Sequence, residues 1–153
     1  MPELATDAQG RLLIDVRGPR FGAAITSLVL AVALVVQGPV GIGLVTWQWF
    51  VFAVSSLAGL RWSIYGNVFR WLKRRMQLGA PPATELEGPP RFAQICGFAV
   101  LTVGLVLFFT GATAAGWVAV GAVLALSALL TFTGICVGCE LYVIGRRLLA
   151  RRG

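Results

Sequence analysis

Two long segments of this chain contain no charged residue at all. They run from Phe21 to Leu60 and from Phe92 to Cys139, and they are 40 and 48 residues long. A bilayer core takes about 20 apolar residues for one helical crossing, so each segment is long enough for two crossings and too long for one. The strongest constraint on the fold is therefore a membrane that the chain crosses four times.

The composition also indicates that lipid is the main solvent of this chain. Apolar residues make up 58% and charged residues 12% of the 153 residues, which lies outside the range of soluble domains. The formal net charge is +7, but the basic residues flank apolar segments and form no polar domain of their own. We therefore expect the bilayer and its anionic lipids as partners, and no nucleic acid.

The weakest apolar stretch of each uncharged segment predicts where the chain turns back. These stretches are 37–43 and 110–116, and both are rich in glycine, which interrupts helices. We predict an all-α membrane bundle of four helices, made of two repeated helical hairpins. The predicted helices are 21–36, 44–60, 92–109 and 117–139.

All thirteen Lys and Arg residues lie outside the two predicted hairpin turns. Basic residues near span ends stay on the cytoplasmic side, so we expect a multi-pass protein of the bacterial inner membrane with both termini cytoplasmic. No cleavable signal peptide is expected, because the first 20 residues are polar and include acids. The predicted organisation is a cytoplasmic N-terminal segment (1–20), a first hairpin (21–60), a cytoplasmic basic helix with a Pro-rich linker (61–91), a second hairpin (92–139) and a basic tail (140–153).

The segment after the first hairpin has the pattern of an interfacial amphipathic helix. Between residues 61 and 76, aromatic and apolar residues recur at helical spacing, so this side is expected at headgroup depth. The basic residues predicted to face lipid are Arg70, Lys73, Arg74 and Arg75. The alternative is a solvated flank of the positive-inside kind, with no specific lipid site.

An internal repeat relates the two hairpins. Pro19-Arg20-Phe21 opens the first helix, Pro90-Arg91-Phe92 opens the third, and an 18-residue overlay from these anchors contains eight identities. Two crossings return the chain to its starting side, so the copies share one orientation about an axis along the membrane normal. Arg17, Arg20 and Arg91 then meet at one boundary, either as an anion site with helix N-terminal amides or as topology signals that reach lipid phosphates.

The three cysteines are predicted near one membrane face. Cys96 lies about one turn into the third helix, and Cys136 and Cys139 form a Cys-x-x-Cys in the last predicted turn of the fourth. Thiols beside cations favour redox or sulfur-transfer chemistry, although a helix C-terminal end disfavours the thiolate. We expect a reduced resting state on the cytoplasmic side. The alternative is that cysteine is a small residue suited to close helix packing.

Other site chemistry is sparse in this sequence. Zinc and iron–sulfur sites usually need four ligands, and the chain has no His, so no metal is expected and the cofactors are unknown. Glu140 is predicted to pair with an Arg of the opposite hairpin. No serine nucleophile motif, phosphate loop or carboxylate pair is present, so whether the protein is an enzyme is left open.

Four ordered motifs carry a family resemblance. They are Ile14-Asp15-Val16-Arg17-Gly18-Pro19-Arg20-Phe21, Ser63-Ile64-Tyr65-Gly66, Pro89-Pro90-Arg91-Phe92-Ala93-Gln94 and Cys136-Val137-Gly138-Cys139-Glu140-Leu141-Tyr142. With these, the chain resembles the uncharacterised bacterial membrane proteins grouped as domain-of-unknown-function family 4395, over roughly residues 14–147. The resemblance implies no established activity. Members of that family look like companions of thioredoxin-like and sulfurtransferase proteins, which implies a partner of that kind.

Three functional hypotheses follow. The leading one is a component of a thiol redox or sulfur-handling system, in which Cys136 and Cys139, assisted by Cys96, exchange electrons or sulfane sulfur with a cytoplasmic partner. The second is a small-anion carrier or channel that uses Arg20 and Arg91 and works as a homo-oligomer. The third is a noncatalytic assembly subunit of a membrane complex, whose small residues allow close helix contact.

Overall fold

In the computed structural model of the chain, residues 5–153 are described; residues 1–4 of the predicted N-terminal segment lie outside that range. The elements in chain order are β1 (Leu13–Asp15), α1 (Arg17–Val36), α2 (Gly38–Leu57), a short 3-10 helix (Leu60–Trp62), α3 (Ile64–Arg75), β2 (Thr84–Leu86), α4 (Gly88–Phe109), α5 (Thr113–Thr133) and α6 (Val137–Arg151).

Four of these helices are long and apolar enough to cross a membrane. They are α1, α2, α4 and α5, with 20, 20, 22 and 21 residues, and they pack in a ring in which α1 and α4 each contact both α2 and α5. The prediction of an all-α membrane bundle with four spans is confirmed. The chain is an integral, multi-pass membrane protein.

Each span contributes at least one fully buried apolar side chain to the centre of the bundle. Leu30, Val45, Leu101 and Val120 come from α1, α2, α4 and α5 respectively, and all have 0% exposure. Since lipid tails are as apolar as these side chains, close packing and not transfer from water holds such a centre together. The centre therefore depends on good fit between all four spans.

The hairpin turns are shorter than the predicted stretches 37–43 and 110–116. A single residue, Gln37, separates α1 from α2, and three residues separate α4 from α5. Proline is tolerated in the first turn of a helix, so Pro39 lies inside α2. Gly41 and Gly116 serve close contact instead of turning: an added Cβ would lie 2.7 Å from the Ala33 carbonyl oxygen at Gly41 and 2.5 Å from the Phe108 ring at Gly116.

The predicted fourth helix, 117–139, is wrong at its C-terminal end. α5 stops at Thr133, Gly134 adopts a left-handed φ of 75°, and a new helix, α6, begins at Val137. Glycine takes this conformation without a steric penalty, and it commonly ends helices in this way. Helices α1 and α4 also begin four residues before their predicted starts, at Arg17 and Gly88.

Two segments for which no strand was predicted form a small antiparallel sheet. β1 lies in the N-terminal segment, β2 lies in the Pro-rich linker, and Ile14 faces Glu85 at the centre of the pairing. Each strand ends two residues before a span begins. The sheet thus joins the starts of α1 and α4.

The structure extends the predicted repeat from a hairpin to a strand and three helices. α3 packs on α1 as α6 packs on α4, and an aromatic pair marks each contact. The rings of Phe21 and Phe69 are 5.5 Å apart in the first copy, and those of Phe92 and Tyr142 are 5.8 Å apart in the second. We call the copies the first repeat (13–75) and the second repeat (84–151).

Candidate functional site

Both repeats start at the same end of the bundle. We call it the basic end, because the segments that carry all thirteen Lys and Arg residues lead into and out of it. Arg20 donates from Nε to the Thr131 carbonyl at 2.8 Å, and Arg91 donates from Nε to the Ser56 carbonyl at 3.0 Å. Each guanidinium thus caps the C-terminal end of a span from the other repeat, where a cation is favourable.

Arg17, the third residue of the predicted anion site, is engaged elsewhere. Its guanidinium forms an ion pair with Asp15 at 2.9 Å, and Lys73 of α3 reaches the same carboxylate at 2.8 Å. Partial burial alone would raise the pKa of Asp15, but the hydrogen bonds from Arg17 and Lys73 outweigh it and lower the pKa to about 2. All three arginines predicted to bind an anion therefore already have protein acceptors, which does not favour that prediction.

Helix α3 packs on the protein with part of the side that was predicted to lie at headgroup depth. Tyr65 and Phe69 are buried, whereas Trp62 and Trp71 are 58% and 57% exposed. Arg70, predicted to face lipid, donates to the Arg61 carbonyl at 2.6 Å. Burial and the nearby charges of other arginines lower the pKa of Arg70. The amphipathic pattern is thus used in part for packing on the bundle, while Val68 and Met76, like the two tryptophans, stay exposed.

The Cys-x-x-Cys lies at the start of a helix, not at the end of one. Cys136 is the N-cap residue of α6, and its Sγ accepts a hydrogen bond from the Cys139 amide at 3.3 Å. The two cysteines form a disulfide across a Cα–Cα distance of 5.2 Å. A disulfide is hard to close across one regular helical turn, but Cys136 has an extended backbone, so the bridge does not span such a turn. This corrects the predicted placement and shows the oxidised form of the pair.

Close contact with α4 fixes the position of the disulfide. A Cβ added at Gly138 would lie 2.7 Å from the Cβ of Ala93, so only glycine lets the first turn of α6 approach α4 this closely. Beside this contact lies a cavity of about 140 Å³, the thiol cavity, which both Cys96 and Cys136 line. The structure therefore brings Cys96 and Cys136 together, while Cys139 lies outside the lining.

Glu140 does not form the predicted ion pair within residues 5–153. It is exposed and lies in the first turn of α6, where a carboxylate complements the positive end of the helix dipole. No group of three or more His, Cys, Asp and Glu side chains in the described range could hold a metal ion.

The same N-cap position in the first repeat carries no sulfur. Ser63 is the N-cap residue of α3, and its side chain accepts a hydrogen bond from the Gly66 amide at 3.3 Å. Ser63-x-x-Gly66 and Cys136-x-x-Cys139 are thus equivalent caps on equivalent helices. The cysteines replace the two positions of a serine cap.

A chain of buried polar side chains in the first repeat was not predicted. Gln48 is 0% exposed; its amide donates to Thr26 at 3.0 Å, and its carbonyl oxygen accepts from the Tyr65 hydroxyl at 2.9 Å. Polar groups at membrane depth need such partners. A glutamine in the middle of an apolar span was the available signal.

Comparison with known proteins assigns the chain to a family. A family model matches residues 14–147, a range that includes all of the strand pair except Leu13, all four spans and the Cys-x-x-Cys. No curated protein and no solved structure matches the chain. The chain therefore belongs to the family described as a domain of unknown function (DUF4395).

Proposed function

We propose that this protein is the membrane component of a thiol redox or sulfur-handling system that acts through Cys136 and Cys139. The observation that carries the proposal is the position of Cys136, an N-cap residue disulfide-bonded to Cys139 in the first turn of α6. Helix N-termini stabilise thiolates, and reactive Cys-x-x-Cys pairs use this effect. A cysteine that served only helix packing would gain nothing from the N-cap position.

The redox step balances with a partner that carries one disulfide. In the reduced protein, the Cys136 thiolate attacks a partner sulfur, forming a mixed disulfide and releasing the other partner sulfur as a thiolate. Cys139, after losing its proton, attacks the Cys136 sulfur and releases the partner. Counted from the dithiol form of this protein, two electrons and two protons leave it, and the partner takes up both to become a dithiol. The reverse sequence reduces the Cys136–Cys139 disulfide.

Cys96 supports a second use of the same site. It shares the thiol cavity with Cys136, so a sulfane sulfur carried by either residue would lie beside the other thiol. A partner persulfide would give its outer sulfur to the Cys136 thiolate, leaving a Cys136 persulfide and a partner thiol. This step transfers sulfur without an added oxidant.

The distribution of charge supports a cytoplasmic partner. All thirteen basic residues lie in segments that meet at the basic end, and the two hairpin turns have none. By the positive-inside rule, the basic end and both termini face the cytoplasm of the inner membrane. The Cys-x-x-Cys then meets thioredoxin-like or sulfurtransferase proteins. The small-anion carrier has less support, because Arg20 and Arg91 bind helix carbonyls.

Mixed-disulfide trapping tests this proposal. When Cys136 of the Cys139→Ser variant is first activated as a mixed disulfide with thionitrobenzoate, the single thiol of a thioredoxin-like protein that lacks its resolving cysteine should displace thionitrobenzoate and form a stable adduct, visible on a non-reducing gel. The control, Cys136→Ser with Cys139→Gly, reproduces the Ser63-x-x-Gly66 cap and should fold normally without forming the adduct. Equal trapping by both variants would refute the proposal.

A further inference from the structure

A second and larger cavity lies beside the first repeat at the basic end. Its volume is about 510 Å³, and it is lined by the strand pair, α1, α3 and the start of α4. This volume falls within the range of about 300–1,000 Å³ for small-molecule sites. Along α1 the lining extends from Gly18 to Thr26, which is about 12 Å at the rise of an α-helix. We call it the α3 cavity.

The α3 cavity combines apolar walls with a surplus of positive charge. Its apolar lining includes Leu13, Pro19, Leu60 and Phe69. Helix α3 adds three cations, Arg70, Lys73 and Arg74. Asp15 is the one carboxylate among the described lining residues, so two positive charges stay unbalanced. An occupant that matches this lining is an anion attached to an apolar body.

Arg74 is the cation most available to an occupant. Lys73 is bound to Asp15 and Arg70 to the Arg61 carbonyl, whereas the Arg74 side chain has no hydrogen bond or ion pair to residues 5–153. Arg75 follows directly and does not line the cavity. Both side chains are exposed, so variants of these two neighbours compare a cation that lines the cavity with one that does not.

The two repeats differ in the residue that α1 or α4 places against the following amphipathic helix, and the cavity beside that helix differs in size. In the first repeat, an added Cβ at Gly22 would still lie 3.7 Å from Tyr65, and the cavity stays open. In the second repeat, Ala93 stands where the first has Gly22 and packs directly against Gly138, at 2.7 Å from an added Cβ. The thiol cavity beside this contact is smaller, at about 140 Å³.

We propose that the α3 cavity binds one acidic phospholipid, with its phosphate at Arg74 and an acyl chain along α1 toward Thr26. The bilayer that surrounds the spans supplies such molecules at the depth of this cavity. Inorganic phosphate would satisfy the cations but would leave the apolar walls without an occupant. A neutral lipid would leave the surplus positive charge unmatched.

Native mass spectrometry of the detergent-purified protein tests the site. Titration with dioleoyl phosphatidylglycerol should give one lipid bound more tightly than dioleoyl phosphatidylcholine, and inorganic phosphate should not displace it. Arg74→Gln should weaken phosphatidylglycerol binding about fivefold, the effect of one nearby cation, while Arg75→Gln should leave it unchanged. Equal binding of the two lipids, or equal effects of the two variants, would overturn the proposal; displacement by inorganic phosphate would show a free-anion site instead.

A cavity-filling variant tests the acyl part. Gly22→Leu should abolish retention of phosphatidylglycerol, whereas Gly121→Leu, at a span position with open space around it, should not; monodispersity and melting temperature check that both variants fold. Should Gly22→Leu misfold, Arg74→Gln and Arg75→Gln still decide the question. The cysteines do not line the α3 cavity, so failure of this proposal leaves the thiol proposal unaffected.

Discussion

The two repeats have one architecture but differ in what they hold. The first has a Ser63-x-x-Gly66 cap, a buried polar chain and a large cavity, whereas the second has the Cys136-x-x-Cys139 disulfide and a small cavity that contains Cys96. Because serine and glycine provide an equivalent helix cap, the fold itself does not require sulfur at this position. The comparison therefore argues that the cysteines serve chemistry.

The largest effect should come from the buried polar chain that the second repeat lacks. Gln48→Leu removes the acceptor of the Tyr65 hydroxyl and the donor to Thr26, and a buried group left without a partner costs about 1–3 kcal/mol. Denaturation in detergent should show this loss of unfolding free energy. Unchanged stability would mean that these buried hydrogen bonds do not help to hold α3 on the bundle.

The arginine caps should contribute equally if the repeats are equivalent. Arg20→Gln and Arg91→Gln each remove a cation from the carbonyl end of a span, which should cost about 1 kcal/mol. The same denaturation measurement applies, with Arg75→Gln as a charge-matched control. A large loss for one arginine and none for the other would contradict the proposed equivalence.

A smaller, pH-dependent effect should be confined to the first repeat. The pKa of Asp15 is lowered from 3.8 to about 2, so its ion pairs contribute fully above pH 3.8 and are lost as the pH falls toward 2. The melting temperature of the wild type should therefore fall more steeply across this window than that of Asp15→Asn. Parallel curves for the two proteins would contradict the described contacts with Arg17 and Lys73.

The smallest change in stability is expected when the cysteine pair is copied into the first repeat. A Cβ added at Gly66 would lie 3.2 Å from the Ser63 Cβ, near the separation of about 3.5–4.5 Å found in disulfides. Ser63→Cys with Gly66→Cys should therefore form a second disulfide on oxidation, detected as two protected thiols after alkylation. Failure to form it would show that the two caps differ in geometry.

The spans and the repeat were predictable because they depend on local properties of the sequence. Uncharged segments of 40 and 48 residues require four crossings, and the Pro-Arg-Phe anchors of α1 and α4 align the copies. The strand pair was not predictable in this way, since β1 and β2 lie about 70 residues apart and their pairing depends on the bundle that brings them together.

The residues of the candidate site were predicted from the sequence, but their positions in the helices were not. The sequence pointed to Cys96, Cys136 and Cys139, but the long apolar run hid the break at Gly134, which places Cys136 at a helix start. A glycine after an apolar helical stretch was the available signal. The roles of Arg20 and Arg91 depended on contacts between repeats, which no local pattern contains.

Thiol counting across redox buffers tests the central claim most directly. The purified protein is equilibrated with mixtures of reduced and oxidised dithiothreitol and alkylated, and the modified cysteines are identified by mass spectrometry. We expect Cys136 and Cys139 to lose and regain reactivity toward alkylation together, as one two-electron couple. The alkylation of Cys96 should not follow that couple. Independent modification of Cys136 and Cys139 under every mixture would contradict this expectation.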